Sequence, residues 1–374
     1  MYDLLIHGAT LIDPGQGIHA RRDVAFANAR VAAVEQNIAT SQASEVIDGT
    51  GQLLTPGWID LHVHVFDSVS HYGIPPDPNC IAKGVTTAVD AGSSGADTFP
   101  GFRKYVLEVS DTRLYALLNI STQGMLSPEL GELQDIRWAN VDRTLQTIEA
   151  NRDLILGVKV RLTRNTLCSK ASGIRPLHLA REAADAAGLP IMVHPQAAWA
   201  DSIDDILAVM GERDIMTHSF HGSECGILDE HGRIRDSVWA ADERGVVFDV
   251  GHGAGSFHWN VVDAALEQGF LPRTISSDLH AYNVEGPVYD LATTASKFLH
   301  LGLSLEDVIA KVTSVPAEAI VNDEIGTLKV GAWGDATLLT LEQGAFALED
   351  SKGQVRTGDQ RLVPVTVIKG GRVY

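Results

Sequence analysis

The chain has 374 residues, 45% of them hydrophobic, and a formal net charge of −19. That length holds one large domain, or a large and a small one, with a sizeable core. So acidic a surface argues against nucleic acid or an anionic membrane as partner, although the charge could serve only to keep the protein soluble.

The opening MYDLLIHGATLIDPGQG lacks a basic start followed by a long apolar core, so no signal peptide is expected. No run approaches the roughly 18 apolar residues of a membrane span. Cys80, Cys168 and Cys225 are scattered without CxxC spacing, which points to free thiols in a reducing compartment and a cytoplasmic protein. DLLIHGATLID, RRDVAFANARVAAVEQ and EVIDGTGQLLTPG then read as short strands broken by Gly, Asn-Ala and Asp-Gly turn signals, with no convincing helix between them.

The middle alternates. Strand-like apolar runs occur in GWIDLHVHV, GVTTAVDAG, LYALLNIS, LILGVKVRL, LPIMVHP, RDIMTHS, GVVFDVGHG and RTISSDL. Helical patterns separate many of them. In RPLHLAREAADAAG, Pro176 suits an early helical position, Leu177, Ala180, Ala183, Ala184 and Ala187 share a face, and Gly188 suits the cap. NVDRTLQTIEAN and SIDDILAVMG are two more. Eight such strands over about 250 residues is the size of a (β/α)8 TIM barrel. The tail returns to short strands in IGTLKVGAWGDATLLTL and VPVTVIKGGRVY. Residues 1–55 and 325–374 are therefore expected to form one small β-sandwich domain from both termini, and 56–324 the barrel.

Six residues near the ends of barrel strands make a set suited to two metals: His62, His64, Lys159, His194, His218 and Asp278. His62 and His64 lie two apart on a strand and face the same way, with Asp60 beside them as a second support. An ammonium at Lys159 is costly within LILGVKVRL unless paired or neutral; it could also snorkel outward. A neutral lysine amine can take up CO2, and the resulting carbamate can bridge two cations. Arg161 faces the same way and could grip a substrate carboxylate or pair with an acid. His194 and His218 each close an apolar run. In HSFHG the nearer His218 is favoured as ligand and His221 is kept as a substrate contact. Asp278 could bind metal and carry a proton, or cap the next helix. His252, beside glycines in FDVGHGAG, and Tyr282 are weaker candidates for substrate contact.

These residues carry a resemblance to the amidohydrolase superfamily that runs nearly end to end, through LLTPGWIDLHVH near the start and IGTLKVGAWGDATLL near the end. KGVTTAVDAGSSGADTFPGFRKYV, GVKVR, MTHSFHG, TISSDLH and DLATTASKFLHLGLSLEDVIAKVTSVPAEAI look most like its dihydroorotase-like amidohydrolase/deacetylase branch. The resemblance implies two divalent ions, usually zinc. His62, His64 and Asp278 would hold the more buried one, His194 and His218 the more exposed one, and carboxylated Lys159 would bridge them. It implies metal-assisted hydrolysis, with Asp278 moving the proton of the attacking water to the leaving group. Dihydroorotases usually place an arginine two residues after the HxH pair; here Phe66 stands there. The expectation is therefore a deacetylase of a small carboxylate-bearing substrate, with a cyclic-amide hydrolase of the dihydroorotase or hydantoinase kind as the alternative. The family is often homo-oligomeric, a point on which this sequence itself is silent.

Overall fold

The computed structural model describes residues 1–164 and 169–374, so Cys168 lies outside the described residues. Both ends of the chain build one β-sandwich. Its first sheet orders Arg30–Glu35, Asp23–Ala27, Tyr2–His7 and Ala43–Asp48. Its second orders Arg372–Val373, Val355–Lys369, Ala336–Glu349, Leu53–Pro56, Thr10–Asp13 and Ile18–Arg21. Leu4, Val24 and Phe26 of the first sheet pack with Leu11, Leu54, Leu338 and Ile368 of the second, and burying those two apolar faces together holds the sandwich.

The tail departs from the short strands expected. Ala336–Glu349 and Val355–Lys369 form one long antiparallel hairpin whose far end leaves the sandwich and reaches the barrel. IGTLKVGAWG, by contrast, forms no strand.

Seven parallel strands follow one another in chain order around the barrel: Trp58–Val63, Val85–Gly95, Arg113–Asn119, Ile155–Arg161, Ile191–His194, Ile215–Met216 and Val247–Phe248. Residues 274–279 take the eighth place without forming a regular strand. Single parallel bridges, Asp249 with Thr274 and Val63 with Leu279, close the circle. The polar sequence of this segment explains the difference. Thr274 Oγ1 donates to Asp249 Oδ1 at 2.6 Å, and Ser277 N donates to Asp60 Oδ1 at 3.0 Å, so side chains replace part of the ladder.

The helix Arg175–Ala187 forms as the sequence predicts, with its five expected apolar residues buried and Gly188 left-handed at φ 67°. It packs in the main core with Val158 and Val160 of the fourth barrel strand. Val141–Ala150 is capped by Asn140, and SIDDILAVMG yields only the short helix Ile203–Leu207 behind Ser202. Among the described residues, no helix is long and apolar enough to cross a membrane.

Candidate metal centre

His62, His64, Lys159, His194, His218 and Asp278 all line one cavity of about 270 Å³ at the ends of the barrel strands. His62 and His64 come from the first strand and its end, Lys159 from the fourth, and His194 closes the fifth. His218 stands two residues beyond the sixth strand, and Asp278 on the eighth segment. His218 and Asp278 adopt left-handed backbone at φ 62° and φ 50°. Non-glycine residues rarely hold that conformation, and these two hold it at the mouth of the cavity.

The imidazoles are oriented as ligands. His218 Nδ1 lies 2.6 Å from the Gly251 carbonyl, which can only accept, so Nδ1 carries the proton and Nε2 keeps its lone pair. His62 Nδ1 meets Thr217 Oγ1 at 2.8 Å, and that hydroxyl donates onward to Asp249 Oδ2 at 2.9 Å. His62 must therefore donate from Nδ1. His64 Nδ1 meets Ser93 Oγ at 2.9 Å, and Ser93 is in turn bonded to the buried Asp90. The free Nε2 atoms of His62 and His64 stand 3.3 and 3.2 Å from Asp278 Oδ1. One ligand atom each from His62, His218 and Asp278 lies within 4.8 Å of the others, a group able to hold a metal ion. Burial, then the nearby Lys159, holds His62 and His64 well below the usual histidine range; His218 is drawn down to about 3, chiefly by burial. All three are thus neutral and ready to donate their lone pairs.

Lys159 is fully buried. Its Nζ reaches His62 Nε2 at 3.4 Å and Met192 Sδ at 3.3 Å, and no carboxylate lies within ion-pair distance among the described residues. Burial draws its pKa down to about 7, against the opposing pull of Asp278. Gly92 makes room for it: at φ +91°, a Cβ there would fall 2.6 Å from Lys159 Cγ. A buried lysine with no acid within ion-pair distance among the described residues, beside the proton-free Nε2 of His62, fits a donor set built around cations.

Arg161 and Tyr282 also line the cavity. Arg161 does pair with an acid, one of the two roles open to it: Nη1 lies 3.0 Å from Glu132 Oε1, both residues being buried. Burial disfavours its charge, but Glu132 and Tyr72 more than offset this and keep the guanidinium ionised. His221 and His252, expected as substrate contacts, do not line this cavity. His221 Nδ1 accepts from Ser223 N at 3.2 Å, while buried His252 is bonded to Lys297. Phe66 also turns away and packs on Phe102 with ring centroids 4.6 Å apart. Asp60 does not orient a ligand ring; it fixes backbone, accepting from His62 N and Ser277 N. Asp278 caps no helix, since Asp290 caps Leu291–His300.

Tyr72, His280 and Gln196 also line the cavity. Tyr72 takes a hydrogen bond from Arg161 Nη2 at 3.4 Å and packs edge-on to His280 at 4.6 Å. His280, two residues after Asp278, carried a usable spacing signal. Tyr72 and Glu132 sit in irregular loops and carried none.

Comparison with known proteins adds to this geometry. The model of the amidohydrolase family matches residues 53–374. A protein of Enterococcus faecalis (strain ATCC 700802 / V583) named deacetylase is 36% identical over 377 residues, spanning 100% of this chain and 99% of its own. A crystal structure described as an adenine deaminase superposes with TM-score 0.93 at 36% identity, covering 100% of both chains. One described as a dihydroorotase gives TM-score 0.90 at 32% identity, covering 100% of this chain and 97% of that one.

Proposed function

The chain belongs to the amidohydrolase family, and from that premise we propose that it is a metal-dependent deacetylase, cleaving an acyl ester or amide of a small carboxylate-bearing molecule. The observation that carries the metal reading is Asp278 Oδ1 standing within 3.3 Å of the free Nε2 atoms of both His62 and His64. The likeness to the E. faecalis deacetylase over the whole chain supports the reaction class, and the cavity of about 270 Å³ suits a small substrate.

In this reading His62, His64 and Asp278 would hold one divalent ion and His194 and His218 a second, and Lys159, as its carbamate, would supply oxygen ligands between them. Zinc suits the imidazole-rich set. When bound, the ions supply a water acidic enough to attack at neutral pH and a Lewis acid for the carbonyl. Asp278 would accept a proton from the attacking water and pass it to the leaving group. Arg161 holds the substrate carboxylate, and Tyr72, His280 and the wall at Ala254–Ser256 keep bulk water out. A cytoplasmic setting fits the free thiols of Cys80 and Cys225, and self-association is compatible with this reading.

The test is a hydrolysis screen of N-acetyl and O-acetyl acids, with dihydroorotate alongside, using zinc-loaded protein. Acetate release from an acetylated acid with dihydroorotate untouched is the expected result. Turnover of dihydroorotate alone would transfer the assignment to cyclic amides, a reading that the dihydroorotase likeness favours and Phe66 opposes.

A further inference from the structure

Lys297 is a fully buried lysine outside the cavity. Its Nζ bonds His252 Nε2 at 2.7 Å, the Pro287 carbonyl at 3.0 Å and the Glu349 carbonyl at 2.6 Å. His252 Nδ1 lies 2.9 Å from the Gly253 carbonyl and so carries the imidazole proton. His252 Nε2 and both carbonyls are therefore acceptors. Three acceptors match the three hydrogens of an ammonium, so each hydrogen has a partner, while burial draws the pKa of Lys297 down to about 7 against the pull of Asp350. The contact joins three parts of the molecule: the helix Leu291–His300, the loop after the seventh barrel strand, and the end of the sandwich strand Ala336–Glu349.

The hairpin tip beyond Glu349 grips the same loop. Ser351 Oγ accepts from Phe257 N at 3.2 Å and donates to the Gly253 carbonyl at 3.1 Å. Ser351 N donates to the Phe257 carbonyl at 2.9 Å. Asp350 Oδ2 accepts from Trp259 N at 3.1 Å. The loop between these anchors supplies Ala254, Gly255 and Ser256 to the cavity wall. Its first glycine backs the carboxylate of Asp278: Gly253 N donates to the Ser277 carbonyl at 3.0 Å, and its Cα leaves no room for a methyl beside Asp278 Oδ2.

We propose that Lys297 and Ser351 are positioning residues, which strap the sandwich hairpin to the loop at residues 252–257 and so fix both the cavity wall and the carboxylate of Asp278. The sandwich then acts on the chemistry through this hairpin rather than serving only as a platform. The inference rests on the hydrolase reading for its kinetic arm alone.

The test uses Lys297→Met and Ser351→Ala in the full-length, metal-loaded protein. Arg356→Met, which breaks the hairpin's ion pair with Asp263, is the control. Hydrogen exchange of peptides spanning 251–258 should quicken in both strap variants and not in the control. The kcat/KM per metal-loaded site should fall by about ten- to a hundredfold, the scale of sub-ångström misplacement at a reacting group. A purely structural tie would lower Tm yet leave kcat/KM within twofold, and that result overturns the proposal, as does unchanged exchange at 251–258. If Lys297→Met does not fold, Ser351→Ala decides alone. If no acetylated substrate is turned over by the unaltered protein, the functional reading fails and the exchange result still judges the strap.

Discussion

Gly253 lies so close to Asp278 that a Cβ on the glycine would fall 2.3 Å from Asp278 Oδ2, while Oδ1 of the same carboxylate faces His62 and His64. The backbone at Gly253 is also left-handed, at φ +55°. Gly253→Ala therefore adds strain and pushes the carboxylate off its line to the imidazoles. The expected outcome is a loss of about a hundredfold in kcat with weakened metal retention. Equal kcat and equal metal affinity in a chelator competition would show that the carboxylate's setting does not matter.

The link from Asp249 through Thr217 to His62 gives a second prediction. Thr217 Oγ1 accepts a hydrogen bond from His62 Nδ1 and donates one to the buried carboxylate of Asp249, which fixes both the tautomer and the tilt of the ring. Purified protein should carry close to two divalent ions per chain by elemental analysis, and chelation should abolish activity until zinc is restored. Thr217→Val should weaken metal binding by about ten- to a hundredfold, as loss of such a support does elsewhere. A stoichiometry that stays at zero after reconstitution would falsify the site.

What the sequence revealed follows what it encodes locally. A side chain's face on a strand follows from spacing of two, so His62 and His64 were legible, and strand-end position marked Lys159 and His194. The helix Arg175–Ala187 was legible because its apolar spacing, Pro176 and Gly188 all agree. Contacts made across the barrel leave no such trace. Glu132 reaches Arg161 from an irregular loop, and the docking of Ser351 on Gly253 joins residues almost a hundred apart in the chain. RTISSDL looked like a strand because its residues favour one; its hydroxyls instead bind buried carboxylates and leave only single bridges. His221 stands out by the HSFHG motif and His252 by the glycines beside it, and neither pattern shows whether the side chain reaches the cavity.

Lys159 supplies the third prediction. With its Nζ 3.4 Å from His62 Nε2, no paired acid among the described residues and a pKa drawn down to about 7, it presents a sizeable neutral fraction at physiological pH. A neutral amine attacks CO2, and loss of a proton from nitrogen leaves the carbamate. Lys159→Ala should lose metal and activity together, and small carboxylic acids added at millimolar levels should restore part of both. Full activity of the unsupplemented variant would place the lysine outside the chemistry.

The last prediction weighs the two partners of Arg161 against each other. Glu132 Oε1 lies 3.0 Å from Nη1, Tyr72 takes a bond from Nη2, and Nε has no partner among the described residues. A substrate carboxylate in the cavity would thus share one guanidinium with a buried acid. A charged hydrogen bond of this kind contributes about 1.5–3 kcal/mol. Arg161→Met should therefore lower kcat/KM on carboxylate-bearing substrates by about ten- to a hundredfold, with metal content intact and neutral esters much less affected. Glu132→Gln should act in the opposite sense on binding. It removes the competing charge and should lower KM for the acid substrates, while breaking a buried pair costs about 3 kcal/mol of stability, read as a lower Tm. If Arg161→Met depresses acid and neutral substrates equally and Glu132→Gln leaves KM unmoved, the Arg161–Glu132 pair is a structural brace, and the carboxylate is held elsewhere on the wall, with Tyr72 and His280 the next residues to change.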